Sequence, residues 1–181
     1  MALKIKSLPL RPNVCMLVYR ADGKLLLGER INRKKHWQFP QGGVERRYSL
    51  RENVVRELKE ELGIARTKLG KITKLASTHS YDWKKPPEYA KGRWRGQEQT
   101  FWLVEFCGQD EDIDLCTYHE PEFKSFRWCT VAMVKRLAAK ERLSGYLKPL
   151  GEFDEFLKKQ EATCKPARRT RLLKRRAKQC A

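Results

Sequence analysis

No two of the six cysteines, at positions 15, 107, 116, 129, 164 and 180, stand in a C-x-x-C pair, which argues against a zinc site and more strongly against a redox dithiol. The histidines His36, His79 and His119 share no local ligand spacing, so none is assigned to a metal; His79 and His119 read as strand-end or loop residues. No apolar run is long enough to cross a bilayer, and no membrane span is expected. The opening "MALKIKSLPLRPN" is basic, but its apolar patches are interrupted and no small-residue cleavage site follows, so no secretory leader is expected. These absences together predict a cytoplasmic protein in a reducing compartment. No internal repeat is visible.

The largest shortage is of acid. Lys+Arg number 40 against 22 for Asp+Glu, a formal charge of +18. An excess of that size implies polyanionic company, nucleic acid or phosphate-rich substrates, rather than a neutral small molecule. The apolar fraction of 40% over 181 residues supports one domain with a substantial core and little left over. From Lys165 the composition changes to "KPARRTRLLKRRAKQCA", with basic residues and no acid. The expected division is therefore a folded domain over 1–164 and a basic tail over 165–181, mobile or ordered as a short helix by a partner.

Two apolar runs flank Ala21-Asp22-Gly23, and Asp-Gly between such runs predicts a hairpin. "HWQFPQGG" reads as a short strand entering a glycine turn, limited by Pro40. "KITKLAST", "TFWLVEFC" and "FRWCTV" read as strands, with "PPEYAKGRWRGQEQ" as a polar loop between the first two. "MVKRLAA" and "LGEFDEFLKK" read as helices. From Leu50, the apolar positions Val54, Val55, Leu58 and Leu62 recur at helical spacing until Gly63. Ser49 and Glu52 form S-x-x-E, a capping box that starts this helix at Leu50. Strands on both sides of a central helix, with a late helix, point to an α/β sandwich with a mixed sheet.

The central helix also carries Glu57, Glu60 and Glu61, which helical spacing turns to one side, away from the Val54-Leu58-Leu62 stripe. Carboxylates so placed repel one another, and a hard divalent cation such as Mg²⁺ offsets this while keeping positions for water and phosphate oxygens. A merely solvated acidic face is the alternative on the helix alone. The upstream "FPQGG" weighs against it, because its glycines let backbone approach a phosphate or a metal without interference from Cβ.

Gly42, five residues, Tyr48, seven residues, then "RELKEELGI" at 56–64 resembles the Nudix box, G-x5-E-x7-R-E-U-x-E-E-x-G-U with U aliphatic. The one departure is Tyr48, where the family has glutamate to support the loop and pair with the box arginine. A hydrophobic staple from Tyr48 would need an apolar residue at Asn53, so none is expected. Glu52, one turn before Arg56, is the expected source of the missing charge. "RPNV" at 11–14, "WQFPQGG" at 37–43, "GQEQTFW" at 96–102 and "EPEFKSFRW" at 120–128 extend the resemblance over roughly residues 10–155, to the subgroup holding RNA pyrophosphohydrolases and plant-type dinucleoside polyphosphate hydrolases.

The resemblance implies a Nudix-type α/β/α sandwich with a loop-helix-loop catalytic motif, and hydrolysis of a phosphoric anhydride with Mg²⁺, for which Mn²⁺ is a possible substitute. It implies that Glu57, Glu60 and Glu61 bind metal, with Glu57 also placed as general base and a backbone carbonyl at Gly42 or Gly43 completing the shell. Glu122 in "PEF" matches a further metal carboxylate and is a second candidate base; an exposed loop acid is its plain alternative. Arg56 would orient the glutamates. Arg11, Arg30 and Gln97 are candidates for substrate contact, since arginine holds phosphate oxygens bidentately and glutamine reads base edges, and Lys148 near "YLKP" is a weaker one. The expected substrate is 5′-triphosphorylated RNA, with nucleoside polyphosphates as smaller substrates. A dinucleoside polyphosphate hydrolase and a non-catalytic nucleotide- or RNA-binding module are the competing readings, and oligomeric state stays open.

Overall fold

The structure, a computed structural model, describes residues 7–116 and 120–179, with side chains as far as residue 162. Its centre is β1 (Leu10–Tyr19), whose "VCMLVY" run is buried on both faces. Alternation along the strand sends Val14, Met16 and Val18 to one side and Cys15, Leu17 and Tyr19 to the other. The first set packs under α1 (Leu50–Leu62) against Val54, Leu58 and Leu62. The second packs against Tyr146, Leu150 and Phe153 of α3 (Lys140–Gln179) and, more peripherally, α2 (Val131–Leu137). The result is the expected α/β/α sandwich.

The hairpin joins β1 to β2 (Leu25–Arg30) with Tyr19 opposite Leu25, and Gly23 takes the left-handed φ of 76° that the turn requires. Pro40 splits the next extended stretch into β3 (Trp37–Gln38), paired with β2, and β4 (Gln41–Gly43), paired antiparallel with β1. β5 (Leu69–Asp82) and β6 (Gly96–Phe106) form a long antiparallel pair. β6 lies parallel to β1 along the whole strand, from Leu10 opposite Gly96 to Tyr19 opposite Glu105, and β7 (Phe123–Cys129) runs antiparallel to β2. The sheet is therefore mixed.

Several boundaries differ from expectation. "GQEQ" at 96–99 belongs to β6 rather than to a polar loop, because Gln97 and Gln99 are buried and hydrogen-bonded: Gln99 Nε2 donates to Asn13 Oδ1 at 3.3 Å and to Gln41 Oε1 at 2.6 Å. The last helix begins at Lys140, ten residues before "LGEFDEFLKK", and ends at Gln179. Gly145, Pro149 and Gly151 lower its helix propensity, but burial of Tyr146, Leu150 and Phe153 overrides them. Gly145 has a steric reason, since a Cβ there would lie 2.5 Å from His79 Cδ2 on β5. His119, Cys180 and the first six residues lie outside the described residues. Cys15, Cys107, Cys116 and Cys129 are free thiols, and no described helix is long and apolar enough to cross a membrane.

The α1 capping box forms as expected. Ser49 Oγ accepts from Glu52 N–H at 3.2 Å and Glu52 Oε2 accepts from Ser49 N–H at 2.7 Å. Gly63 closes the helix in the left-handed region at φ 66°, its N–H donating to the Leu58 and Lys59 carbonyls. In chemical denaturation, Ser49→Ala should lose about 1 kcal/mol from the cap, and Leu58→Ala about 2–5 kcal/mol from the cavity left under β1.

Candidate active site

The buried face of α1 comprises Asn53, Val54, Glu57, Leu58, Glu61 and Leu62. Glu57 and Glu61 thus form a row beside the apolar stripe rather than opposite it, and they are only 8% and 5% exposed. The expected common cluster of three is divided. Glu60 is half-buried on the outer side, where its Oε2 accepts from Arg56 Nη1 at 2.7 Å. The third carboxylate near Glu57 and Glu61 is instead Glu122, which repels both.

β4 lies over this row. A Cβ on Gly42 would fall 1.7 Å from Glu57 Cδ, so only glycine lets the strand approach the carboxylate. Next to it, a Cβ on Gly43 would meet the Arg11 guanidinium at 1.9 Å. Glu61 Oε2 accepts from Gln41 N–H at 2.9 Å, while its Oε1 is buried with no hydrogen-bond partner. Arg56 ties helix to strand: its Nη2 donates to Glu57 Oε1 at 2.5 Å, to the Gly43 carbonyl at 2.9 Å and to Asn53 Oδ1 at 3.3 Å.

Glu52 does not reach Arg56, because the capping box occupies it. The carboxylate that adds charge there is Glu45, whose Oε1 lies 3.4 Å from Arg56 Nη1. Glu45 is anchored by its own N–H donating to Asn53 Oδ1 at 2.9 Å. Tyr48 is exposed, makes no staple, and lies under the Arg47 guanidinium, 4.8 Å from its ring centroid.

The row opens into a cleft of about 500 Å³, within the range of small-molecule sites. Gly42, Gly43 and Glu57 line it, as do Arg11 from β1, Arg30 from β2, Gln97 from β6 and Glu122, which pairs with Arg30. Lys148 does not reach it, being exposed on α3. The cleft holds three cationic or titratable groups that sequence reasoning missed: Arg33 and His36 from the β2–β3 loop, and Arg142 from α3. Arg142 donates to the Tyr81 hydroxyl, which donates to Gln97 Oε1. A guanidinium only donates, so the phenol oxygen accepts from it and sends its own hydrogen to Gln97. That makes the Gln97 amide oxygen an acceptor within the network and leaves Nε2 as the donor of the amide. No local motif signals Arg142; only the early start of α3 brings it to the cleft.

Burial pushes the Glu57 carboxyl up to about 7, opposed by Arg56 and reinforced by Glu60 and Glu122. Burial also raises Glu61 well above the ordinary carboxylate range, with Glu122 and Glu57 adding to it. Among the described residues, no three His, Cys, Asp or Glu side chains form a metal cage by themselves. The orphaned Glu61 oxygen, the strained carboxylates and the Cβ-free backbone at Gly42 nevertheless fit a hard divalent cation that keeps part of its shell for water and phosphate.

Carboxylates that repel one another, at the foot of a cleft walled by arginine, suit a cation and a polyphosphate. The NUDIX domain profile matches residues 9–149. An RNA pyrophosphohydrolase of Wolbachia sp. subsp. Drosophila simulans (strain wRi) is 34% identical over 155 residues, covering 82% of this chain and 91% of that protein. One from Dinoroseobacter shibae is 39% identical over 138 residues, covering 72% and 82%. The crystal structure of a C. elegans Ap4A hydrolase binary complex shares the fold, with a TM-score of 0.58 and 24% identity over 82% of this chain and 98% of that one. The chain belongs to the NUDIX family, whose hydrolases depend on divalent metal.

A carboxyl with a raised folded pKa costs nothing while protonated in both states and destabilises once ionised. In chelator, stability should therefore fall as pH rises from about 4.5 to about 7, by about 3 kcal/mol for Glu57 alone. A divalent cation should restore more stability at pH 8 than at pH 5, and Glu57→Gln should flatten the profile. Thermal melts across pH, with and without the cation, measure both; parallel profiles for wild type and variant would contradict the assignment.

Proposed function

We propose that the chain is an RNA pyrophosphohydrolase, removing pyrophosphate from the 5′-triphosphate end of RNA with Mg²⁺ and also accepting nucleoside polyphosphates. The observation that carries this reading is that one cleft joins buried, cation-seeking carboxylates to arginine walls suited to a polyphosphate. Two further facts favour RNA: the names of the relatives at 34% and 39% identity, and the charge of +18, which suits non-specific contact with a phosphate backbone. The free thiols suit a reducing cytoplasm.

Glu57, Glu61 and Glu122 would hold Mg²⁺, or Mn²⁺ in its place, with a backbone carbonyl at Gly42 alongside and Glu60 joining only by leaving Arg56. When bound, the ion neutralises phosphate oxygens and acidifies the attacking water. Glu57 would serve as the general base toward that water. Glu122, already gripped by Arg30, is the second candidate base. Arg56 holds Glu57 in place against the glycine strand. Arg11 and Arg30 hold phosphate oxygens, and Gln97 Nε2 donates to an acceptor on the substrate.

A dinucleoside polyphosphate hydrolase is the second reading, favoured by Trp83 and the exposed Tyr89 at the cleft, which offer a base a stacking face. A non-catalytic binder would have no use for the buried, repelling pair Glu57 and Glu61. Pyrophosphate release from 5′-triphosphate RNA should exceed cleavage of diadenosine tetraphosphate at matched Mg²⁺, and the reverse order would favour the second reading. Glu61→Gln should keep the fold and lower turnover on either substrate by about a hundredfold or more, since an amide is a weaker ligand for the ion. Near-normal turnover at limiting Mg²⁺ would remove Glu61 from the metal site.

A further inference from the structure

Beside the cleft lies a second groove, of about 630 Å³, which shares Arg11 and Tyr89 with it and is walled further by Val44, Arg46, Arg93 and Trp94. Among the described residues, no aspartate or glutamate lines this groove. Of the acids near it in sequence, Glu45 pairs with Arg47 and Arg56, Glu88 with Lys91 and Asp82 with Arg95, while Glu98 is exposed on β6 opposite Pro12 and is not part of the groove wall. Arg46 and Arg93 are exposed, and among the described residues neither forms an ion pair. A protein surface normally intersperses charges of both signs, so a wall whose charged groups are all arginine lacks the usual compensation.

The aromatic groups of the groove are held in place. Tyr89 is 56% exposed, yet it stands edge-on to Trp83 at 6.2 Å between centroids and lies under the Arg11 guanidinium at 4.9 Å. Trp94 is half-buried on a turn closed by the Ala90 carbonyl, which accepts from the Arg93 N–H at 3.1 Å and the Trp94 N–H at 3.0 Å. Gly92 takes the positive φ of 70° that this turn needs. Exposed aromatic faces alternating with unpaired arginines are the means by which proteins track single-stranded nucleic acid, the cations following the backbone and the rings stacking on bases.

We propose that this groove seats the single-stranded RNA that follows the triphosphate end, with Arg46 and Arg93 contacting backbone phosphates and Trp94 offering a stacking face. The proposal rests on the RNA reading of the cleft. Continuity supplies the route: a chain whose 5′ end lies at Glu57 passes Arg11 and Tyr89, which face both spaces, and enters the groove. Neither Arg46 nor Arg93 touches the carboxylate row.

The test compares wild type with the Arg46→Ala/Arg93→Ala double variant on three probes. On a 5′-triphosphate RNA of about eight nucleotides, the variant should show KM raised about tenfold with kcat unchanged. On diadenosine tetraphosphate it should match wild type. By fluorescence anisotropy, its affinity for a 5′-monophosphate RNA of the same length should fall, and its log-affinity against log-salt slope should be shallower by about 0.7 for each arginine lost. Unchanged RNA affinity and salt slope would overturn the groove assignment, as would an equal loss on the small substrate. If wild type fails to hydrolyse triphosphate RNA, the functional reading fails, while the anisotropy arm still decides whether the groove binds RNA. Trp94→Ala, which alters no charge, should weaken RNA binding with the salt slope retained; a slope that fell with it would indicate a disturbed loop and count against the stacking role.

Discussion

The guanidinium of Arg56 holds together parts that would otherwise separate. Glu57 and Glu61 stand buried one turn apart on α1, where low dielectric magnifies their repulsion. Arg56 binds Glu57 and Glu60 on its own helix while donating to the Gly43 carbonyl on β4 and to Asn53, which in turn secures the loop through Glu45. Loop, strand and helix meet at one planar cation. The glycines complete the arrangement by contributing no Cβ, Gly42 letting the backbone close over Glu57 and Gly43 leaving room for the Arg11 guanidinium. A lysine could not serve the same positions, since a point charge lacks the fork that reaches several acceptors at once.

The parts that were legible in the sequence are those governed by local rules. Ser49 and Glu52 announced the capping box, Gly63 the helix end, and Asp22-Gly23 the hairpin, because each depends on residues within a few positions of one another. The motif from Gly42 to Ile64 located the carboxylate helix and the glycine strand together. Helical spacing turned Glu57, Glu60 and Glu61 away from the apolar stripe, whereas Glu57 and Glu61 lie buried beside it, since a wide buried face can include a polar row when a strand lies over it. Glu52 was the nearest candidate to replace the glutamate absent at position 48, and it failed because one carboxylate cannot serve both the cap and Arg56. Glu45 reaches Arg56 only through the path of the loop.

Long-range groups were the least visible. Arg142 lies 45 residues from Gln97 in the chain, on a helix whose first turns contain Gly145 and Pro149, and nothing near it in sequence marks it as part of a cleft. The polar stretch at Gln97–Gln99 read as loop because glutamine is more often exposed, whereas here these side chains are satisfied by Tyr81, Asn13 and Gln41. Lys148 failed for the complementary reason: the helix that brings Arg142 inward turns position 148 outward.

The parallel pairing of β1 with β6 has a kinetic consequence. Arg11 and Gln97 lie directly opposite each other in that ladder, although 86 positions separate them in the chain. Contacts of such separation require closure of a long loop before they contribute, and they slow folding relative to local hairpins and helices. The capped carboxylate helix and the β1–β2 hairpin are made of short-range contacts and can form beforehand. A nascent chain therefore holds its acidic motif and the arginines of the hairpin before Gln97 and Arg142 join them, and becomes competent to receive a polyphosphate only when these distant segments have met.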